Sequence, residues 1–395
     1  MNKANIRIVN INSWDKAVAE LKKIGADEQG AKLMAAKSLH RILKLENISV
    51  KAAGILKQEI LSRGGEAAVA RGVVDFSVPT TDVILMGTEK QLNQLCIKLK
   101  MQHFGLKKVA EEIKEVLTNL KPSYGRILTC GNKQIELGKK TLLMGILNVT
   151  PDSFSDGGKF DNIKKAVEHA WQMVKDGADI IDIGAESTRP TAAPVSLEEE
   201  LKRILPIIGA LAKEIPVPIS VDTYKAEVAR QCLAAGAHII NDVWGAKQEP
   251  EIAAVVAEYQ VPFIIMHNQQ GTEYKDLMGD ICSSLRESIN ISLTAGVKED
   301  NIIIDPGIGF GKNYEQNLEV MHRLDELKSL GKPILLGTSR KSIIGNTLNL
   351  PVNERVEGTA ATVTYGIAKG SDIVRVHDIK EMARVIKMTD AMVRR

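Results

Sequence analysis

The feature that most constrains the fold is a series of eight short apolar runs, each followed by a polar or charged residue, between about residue 142 and the C-terminus. Such continuous apolar runs are typical of parallel strands buried on both faces, and the stretches between them are long enough for crossover helices. Eight strand–helix units in about 250 residues predict a (β/α)8 TIM barrel, whose active site lies where the strands end. The runs are 142–146 before Asn148, 180–183 before Glu186, 219–221 before Asp222, 239–240 before Asn241, 263–266 before His267, 302–304 before Asp305, 334–336 before Ser339 and 373–374 before Arg375.

The chain has 395 residues and is therefore longer than one barrel, which indicates a second, smaller domain. We expect residues 1–120 to form a small α/β accessory domain whose role the sequence does not define. Residues 121–140 are expected to form a linker and a hairpin that covers the barrel floor, and residues 141–395 the barrel. Within the first domain the patterns predict helices over 31–45, 50–61, 90–99 and 106–120, and strands over 73–78 and 83–86.

Composition excludes several classes of protein. A hydrophobic content of 44% and a charged content of 26% are those of a soluble globular protein, and a net charge of +3 argues for neither nucleic acid nor membrane as a partner. The four cysteines form no CxxC pair, which favours free thiols in a reducing compartment. No apolar run approaches the roughly 18 residues of a membrane helix, and the polar start lacks a signal-peptide core. We therefore expect a cytoplasmic protein.

Two long polar loops follow the first two strands. Asn148 begins the loop 148–158 and could offer its side-chain carbonyl oxygen to a hard cation, or could simply form a local turn. Arg189 lies in the loop 184–190, where it could reach an anion or remain a surface residue.

Three short hydrogen-bond acceptors end strands 3, 4 and 6, namely Asp222, Asn241 and Asp305. Aimed into one barrel mouth, they would suit a flat heterocycle with several N–H donors, because a carboxylate can accept two hydrogen bonds from an amino-pyrimidinone. The alternative for each is to cap the helix that follows, where Asp and Asn are common. All three together with Lys341 favour the ligand site.

Cationic side chains follow strands 7 and 8. Ser339 and Lys341 follow strand 7, and Arg375 and His377 follow strand 8, where barrel enzymes often bind phosphate. The glycine-rich segment 305–312 does not fit either phosphate-loop pattern, so its glycines are expected to let the backbone approach a ligand closely. No metal-binding Cys/His spacing and no activated nucleophile is present in the sequence, so the chemistry need not involve a covalent enzyme intermediate. His267, which ends strand 5, is left without a role.

The blocks MGILNVTPDSFSDGG, DIGAESTRP, ISVDT, IIND, DPGIGFGK, GTSRKS and RVHD occur in this order along the chain. Through them the chain resembles the dihydropteroate synthases of folate biosynthesis over about residues 125–395. The resemblance implies a transferase that joins 6-hydroxymethyl-7,8-dihydropterin diphosphate to p-aminobenzoate and releases diphosphate. It also implies a cytoplasmic homodimer that sulfonamides inhibit.

The resemblance also implies roles for individual residues. The pterin would be held by Asp222, Asn241, Asp305, Lys341 and Met266. The diphosphate would be bound by Arg375 and His377, and Mg2+ by Asn148. The p-aminobenzoate pocket would consist of Thr188, Pro190, Ser339, Phe154 and Phe310, with Arg189 closing over it.

Three other functions share some of these sequence features. A methyltransferase that passes a methyl group from methyltetrahydrofolate to a corrinoid would share the barrel and the pterin acceptors, but would need neither the diphosphate clamp nor the segment 186–190. A non-catalytic pterin-binding protein would have lost residues such as Lys341 or Arg375, which are present. A fused pyrophosphokinase or aldolase in residues 1–120 is disfavoured by the length of that segment and its lack of an acidic metal pair.

Overall fold

The structure, a computed structural model, describes residues 5–121, 125–149, 159–186 and 195–394. The chain divides into two compact units, Met1–Lys121 and Pro122–Arg395. Among the residues that the structure describes, no helix combines the length and the hydropathy that crossing a bilayer requires.

The first unit is a small α/β fold with a three-stranded antiparallel sheet. Its elements are α1 (Trp14–Lys23), α2 (Glu28–Ser38), β1 (His40–Ser49), α3 (Val50–Leu61), β2 (Glu66–Val69), β3 (Thr80–Thr88), α4 (Glu89–Leu99) and α5 (Leu106–Asn119). The strand order is β1–β3–β2. Helices α3, α4 and α5 share one apolar core with this sheet, to which Leu56, Leu85 and Leu95 contribute fully buried side chains.

Two expectations for this unit were wrong. Residues 40–45 belong to β1 rather than to a helix, because their alternating exposed and partly buried side chains fit a sheet surface and Arg41 to Leu45 pair with Gly87 to Val83. Residues 73–78 form no strand. The segment Arg71–Val73 is a short 3-10 helix, and the strand lies earlier, at Glu66–Val69, which the sequence analysis did not predict.

The second unit is an eight-stranded parallel barrel, as the apolar runs predicted. Its strands are β6 (Leu142–Asn148), β7 (Ile180–Gly184), β8 (Ile219–Asp222), β9 (Ile239–Asp242), β10 (Phe263–Met266), β11 (Ile302–Asp305), β12 (Leu335–Leu336) and β13 (Ile373–Val376). Their order is β11–β10–β9–β8–β7–β6–β13–β12. A single parallel bridge between Ile304 and Ile334 joins the two end strands and closes the ring.

Helices alternate with the strands around the barrel. They are α6 (Lys159–Asp176), α7 (Leu197–Glu214), α8 (Ala226–Ala234), α9 (Glu251–Tyr259), α10 (Leu277–Thr294), α11 (Tyr314–His322), α12 (Ser342–Leu348), α13 (Val356–Lys369) and α14 (Ile379–Val393). Side-chain caps fix several of their starts; Ser196, Asp276 and Asn313 each accept a hydrogen bond from the third residue of the helix that follows.

A two-stranded hairpin, β4 (Arg126–Cys130) and β5 (Lys133–Leu137), lies at the end of the barrel opposite the strand ends that carry polar residues. Its buried side chains Leu128 and Ile135 form one cluster with the first residues of barrel strands, including Ile239 and Ile373. The hairpin therefore seals the barrel floor and leaves one open mouth.

Candidate active site

Four side chains from four strands of the barrel form a buried network inside the barrel mouth. Arg375 of β13 donates from Nε to Asp182 Oδ2 at 2.6 Å and from Nη2 to Asp222 Oδ2 at 2.8 Å. Asn241 of β9 donates from Nδ2 to the same Asp182 oxygen at 3.3 Å. One guanidinium thus lies between two carboxylates, and both anions are almost completely removed from solvent.

This network leaves hydrogen-bonding capacity unused. The Oδ1 atoms of Asp182 and Asp222 are buried, and neither has a hydrogen-bond partner among the described residues. Burial raises the pKa of the Asp222 carboxyl above its usual range, and Arg375 only partly opposes that shift. Buried acceptors without donors are costly, so this pocket is suited to a ligand that brings N–H groups.

The amide of Asn241 is oriented by its neighbour. Because Nδ2 points at Asp182, the carbonyl oxygen Oδ1 is left as the acceptor that Asn241 can offer elsewhere. The pocket is thereby lined by acceptors on three consecutive strands.

A second group of site residues converges beside Gly337, which follows β12. A Cβ atom placed on Gly337 would lie 3.8 Å from Lys341 Nζ, 3.9 Å from Arg375 Cβ and 4.0 Å from Asp305 Oδ2. The absence of a side chain at Gly337 therefore leaves open the space in which the lysine, the arginine and the aspartate meet. Asp305 also accepts a hydrogen bond on Oδ1 from the Gly307 amide at 2.7 Å, which leaves Oδ2 directed toward this space.

Lys341 is held by the loop that follows β11. Its Nζ donates to the Ile308 carbonyl oxygen and lies 4.8 Å from the centre of the Phe310 ring. Burial lowers the pKa of Lys341 to about 8, although the nearby Asp305 opposes the shift. The ammonium group is therefore fixed in place and only weakly solvated.

At the rim of the mouth, Ser339 and His377 form a pair. The Ser339 hydroxyl lies 3.0 Å from His377 Nδ1 and accepts a hydrogen bond from the His377 amide at 3.1 Å. The loops after strands 7 and 8 are thus tied together at the place where the sequence predicted an anion site.

The glycines of residues 305–312 pack against the protein itself, whereas the sequence predicted that they would let the backbone approach a ligand. Gly307, Gly309 and Gly311 all have positive φ, and a Cβ on Gly307 would lie 2.0 Å from the His267 carbonyl oxygen. These glycines let the loop approach the end of β10 and the Lys341 side chain, rather than being reserved for a ligand. Met266 packs beside Gly307, with its side chain buried.

Asn148 ends β6 and is exposed, in register with Gly184, which is itself in register with Asp222. The Val149 amide bonds the Gly184 carbonyl oxygen at 2.8 Å and fixes the backbone there. An exposed side-chain amide on a fixed backbone, level with the acceptor network, fits the oxygen-donor preference of Mg2+.

The helix-capping alternative is wrong for all three acceptors. Residue Lys225 precedes α8, Pro250 precedes α9, and Asn313 caps α11, so Asp222, Asn241 and Asp305 cap none of these helices.

Of the other predicted site residues, Phe154, Thr188, Arg189 and Pro190 lie outside the described residues.

Sequence reasoning missed two buried charged residues. Asp182 lies in the middle of β7, and its signal was an acidic residue within an otherwise apolar strand. Lys312 is also buried and contacts His267, although nothing in the sequence besides its place after the glycines pointed to it.

The known proteins that this chain resembles are pterin-binding enzymes. Residues 144–377 match the family model described as "Pterin binding enzyme". A dihydropteroate synthase from Clostridium beijerinckii is 59% identical over 266 residues, which is 67% of this chain and 99% of that protein.

Two further similarities extend the comparison. A crystal structure of a dihydropteroate synthase from Clostridium difficile, in the presence of pteroic acid, superposes with a TM-score of 0.65 and 53% identity, covering 66% of this chain and all of that one. A probable bifunctional folylpolyglutamate synthase/dihydropteroate synthase from Halobacterium salinarum is 40% identical over 390 residues. That match spans 97% of this chain, including its first unit, and 46% of that protein. The chain therefore belongs to the dihydropteroate synthase family of pterin-binding transferases.

Proposed function

We propose that the chain joins 6-hydroxymethyl-7,8-dihydropterin diphosphate to p-aminobenzoate, forming 7,8-dihydropteroate and diphosphate. The observation that carries the proposal is the buried acceptor pocket made by Asp182, Asp222 and Asn241, beside the cations of strands 7 and 8. A pterin ring has the N–H donors that such a pocket lacks.

Asp222, Asn241 and Asp305 would accept hydrogen bonds from the pterin, and Met266 would form an apolar wall beside it. Lys341, which stands between Asp305 and the Phe310 ring, would reach both the pterin and the incoming amine. Because all of these groups except Lys341 lie on strand ends, the ring would be held by the rigid part of the fold.

In the proposed reaction, the bond between the exocyclic carbon and the diphosphate oxygen breaks, and its electron pair leaves with the diphosphate. The electron-rich dihydropterin would spread the resulting positive charge, and the buried carboxylates of Asp182 and Asp222 that line the pocket would favour it. The amine nitrogen of p-aminobenzoate then attacks the carbon and loses a proton. No enzyme nucleophile is required.

Charge on the departing diphosphate would be balanced by Arg375 and His377. The guanidinium uses Nε and Nη2 for the two carboxylates, which leaves Nη1 as the atom that could bind the diphosphate. His377 would contribute from the ring edge that faces away from Ser339. Phe310 and Ser339 would border the p-aminobenzoate pocket, together with Thr188, Pro190, Phe154 and Arg189 from the two loops outside the described residues.

Mg2+ would be held by the Asn148 side-chain oxygen together with oxygens of the diphosphate. When bound, the ion would neutralise part of the charge on the diphosphate.

The test is an assay of diphosphate release with pterin diphosphate, p-aminobenzoate and Mg2+. We expect release that requires p-aminobenzoate, and we expect Asn148→Ala to raise the Mg2+ concentration for half-maximal rate at least tenfold. Asn290→Ala, at an exposed amide in the second half of α10, serves as the control. Release without p-aminobenzoate, or an unchanged Mg2+ dependence in Asn148→Ala, would contradict the reaction or the metal assignment, respectively.

We also propose that the chain forms a homodimer in the cytoplasm. Helices α11, α12, α13 and α14 each carry an apolar side chain that is between 38% and 61% exposed: Leu318, Leu348, Tyr365 and Met388. A second copy of the chain is the partner that would cover these side chains, since soluble oligomers are most often symmetric dimers. The four cysteines, all free, fit a reducing compartment.

Sedimentation velocity would test the dimer. We expect the wild-type chain to sediment as a dimer and Met388→Asp to shift it at least tenfold toward monomer. The matched change Ile97→Asp, at an exposed apolar residue of the first unit, should leave the dimer intact. A monomeric wild-type chain would contradict the proposal.

A further inference from the structure

One buried pair of titratable residues has no place in the proposed reaction. Lys312 is 9% exposed and His267 is 2% exposed, and Lys312 Nζ lies 2.9 Å from His267 Nδ1. The same ammonium group donates to the carbonyl oxygens of Gly307 and Phe310, each at 3.1 Å. Its three N–H donors therefore have three acceptors, which is the full capacity of a lysine.

The environment fixes the charge state of each partner. Burial, together with the adjacent Lys312, lowers the pKa of His267 to about 3, so the ring is neutral and can present Nδ1 as an acceptor. Burial also lowers the pKa of Lys312, to about 7, and Asp305 opposes that shift. Three acceptors around one nitrogen favour the protonated form, because a neutral amine would turn its lone pair toward one of them.

The loop that Lys312 holds is the loop that holds Lys341. Lys312 binds the carbonyl oxygens of residues 307 and 310, and Lys341 binds the carbonyl oxygen of Ile308 between them. The Phe310 ring then lies over Lys341 Nζ. Both contacts that fix the Lys341 ammonium thus come from a segment whose ends are tied to Lys312.

The side chains of Tyr274 and Asn317 also form hydrogen bonds with the loop 307–311. The Tyr274 hydroxyl donates to the Gly311 carbonyl oxygen at 2.7 Å, and the Gly309 amide donates to Asn317 Oδ1 at 2.7 Å. The loop contains three glycines with positive φ, which would be mobile on their own, so its shape depends on these side-chain contacts. Lys312 joins the loop to the end of the neighbouring strand through His267.

We infer that Lys312 and His267 form a positioning pair that sets the place of Lys341 and of the Phe310 ring, and hence the fit of the substrate amine beside the pterin. This inference rests on the proposed function, because Lys341 matters only if the chain binds a pterin and its partner amine. Neither residue of the pair needs to touch substrate.

The test uses pteroic acid, which contains both halves of the product, as a probe in calorimetry. We expect Lys312→Met, which keeps the length of the side chain but removes its donors, to weaken pteroic acid binding at least tenfold. In a Lys341→Met background the same substitution should weaken binding less than threefold, because Lys312 would act through Lys341. Equal losses in both backgrounds would overturn the inference.

Two further variants keep the inference testable if Lys312→Met does not fold. His267→Leu removes the acceptor and should weaken binding at least fivefold, whereas His267→Asn keeps an acceptor near the position of Nδ1 and should lose less. Equal losses in these two variants would also overturn the inference.

Lys332→Met is the matched control. Lys332 is as buried as Lys312, but it bonds Glu299 at 2.6 Å on the floor side of the barrel. The Lys332→Met variant should bind pteroic acid with an affinity within twofold of the wild type. If the wild-type chain failed to bind pteroic acid at all, the proposed function would fail; normal wild-type binding with an unaffected Lys312→Met would defeat only the positioning pair.

Discussion

Replacing Arg375 by alanine is expected to lower kcat at least a thousandfold, about 4 kcal/mol in barrier height. In the wild-type protein one guanidinium lies between the carboxylates of Asp182 and Asp222. Its loss would leave two buried anions repelling each other and would also remove positive charge from the place where diphosphate departs. Single-turnover kinetics with saturating substrates would measure the effect on the chemical step.

The same change should destabilise the fold by about 3–5 kcal/mol, because an uncompensated charge would remain buried. Arg394→Ala is the matched control, since Arg394 has a similar side-chain exposure, 19% against 20%, and pairs with Asp390 at the barrel floor. The Arg394→Ala variant should have a lower free energy of unfolding but a kcat within threefold of the wild type. If Arg394→Ala lost as much kcat as Arg375→Ala, the effect would be one of folding rather than of charge at the site.

Replacing Asp222 by asparagine should weaken binding of the pterin diphosphate at least a hundredfold, about 2.7 kcal/mol. The substitution preserves the shape of the side chain, but it can place an N–H donor where the pterin presents its own donors. Isothermal calorimetry without p-aminobenzoate would measure this step separately from chemistry. Unchanged affinity would remove Asp222 from the pterin pocket.

The same substitution, Asp222→Asn, should raise the free energy of unfolding although it weakens pterin binding. Because burial raises the pKa of Asp222 in the folded protein, folding free energy is lost as the pH rises from the ordinary aspartate pKa to the raised one, and the full cost remains at higher pH. We therefore expect Asp222→Asn to be more stable than the wild type at pH 8, by about 1 kcal/mol or more. The difference should shrink as the pH falls and the wild-type carboxyl becomes protonated.

The partly buried acid Asp372, which lies outside the pocket, separates the effect on binding from the effect on stability. Burial also raises the pKa of Asp372, which accepts a hydrogen bond from the Ile334 amide near the start of β12 and β13. Asp372→Asn should leave pterin affinity unchanged. A hundredfold loss of affinity in that variant would mean that charge anywhere in the barrel interior controls binding.

Much of the barrel could be predicted from the sequence, because each strand is a buried apolar run that ends in a polar residue. Asp222, Asn241 and Asp305 were placed correctly at strand ends, and the structure links Asp222 to Asn241 through Arg375 and Asp182. The first unit was harder. Residues 40–45 have apolar positions that fit either a helical or an alternating period, and only their pairing with β3 decides between the two.

The remainder of the site depends on contacts that no local pattern encodes. Arg375 and Asp182 are 193 positions apart in the chain, and Lys312 meets His267 across 45 positions. A motif shows that a lysine is present but not which carbonyl oxygens surround it. These long-range hydrogen bonds arise from the closure of the ring and can be read only from the fold.

The unused Oδ1 atoms of Asp182 and Asp222 have a consequence for inhibitors. A compound that offers N–H groups to both oxygens would compete for acceptors that the pterin itself needs. Exchanging either aspartate for a neutral residue would exclude such a compound, but it would exclude the natural ligand as well. A drug directed at this pair would therefore meet a target with little freedom to escape by single substitutions.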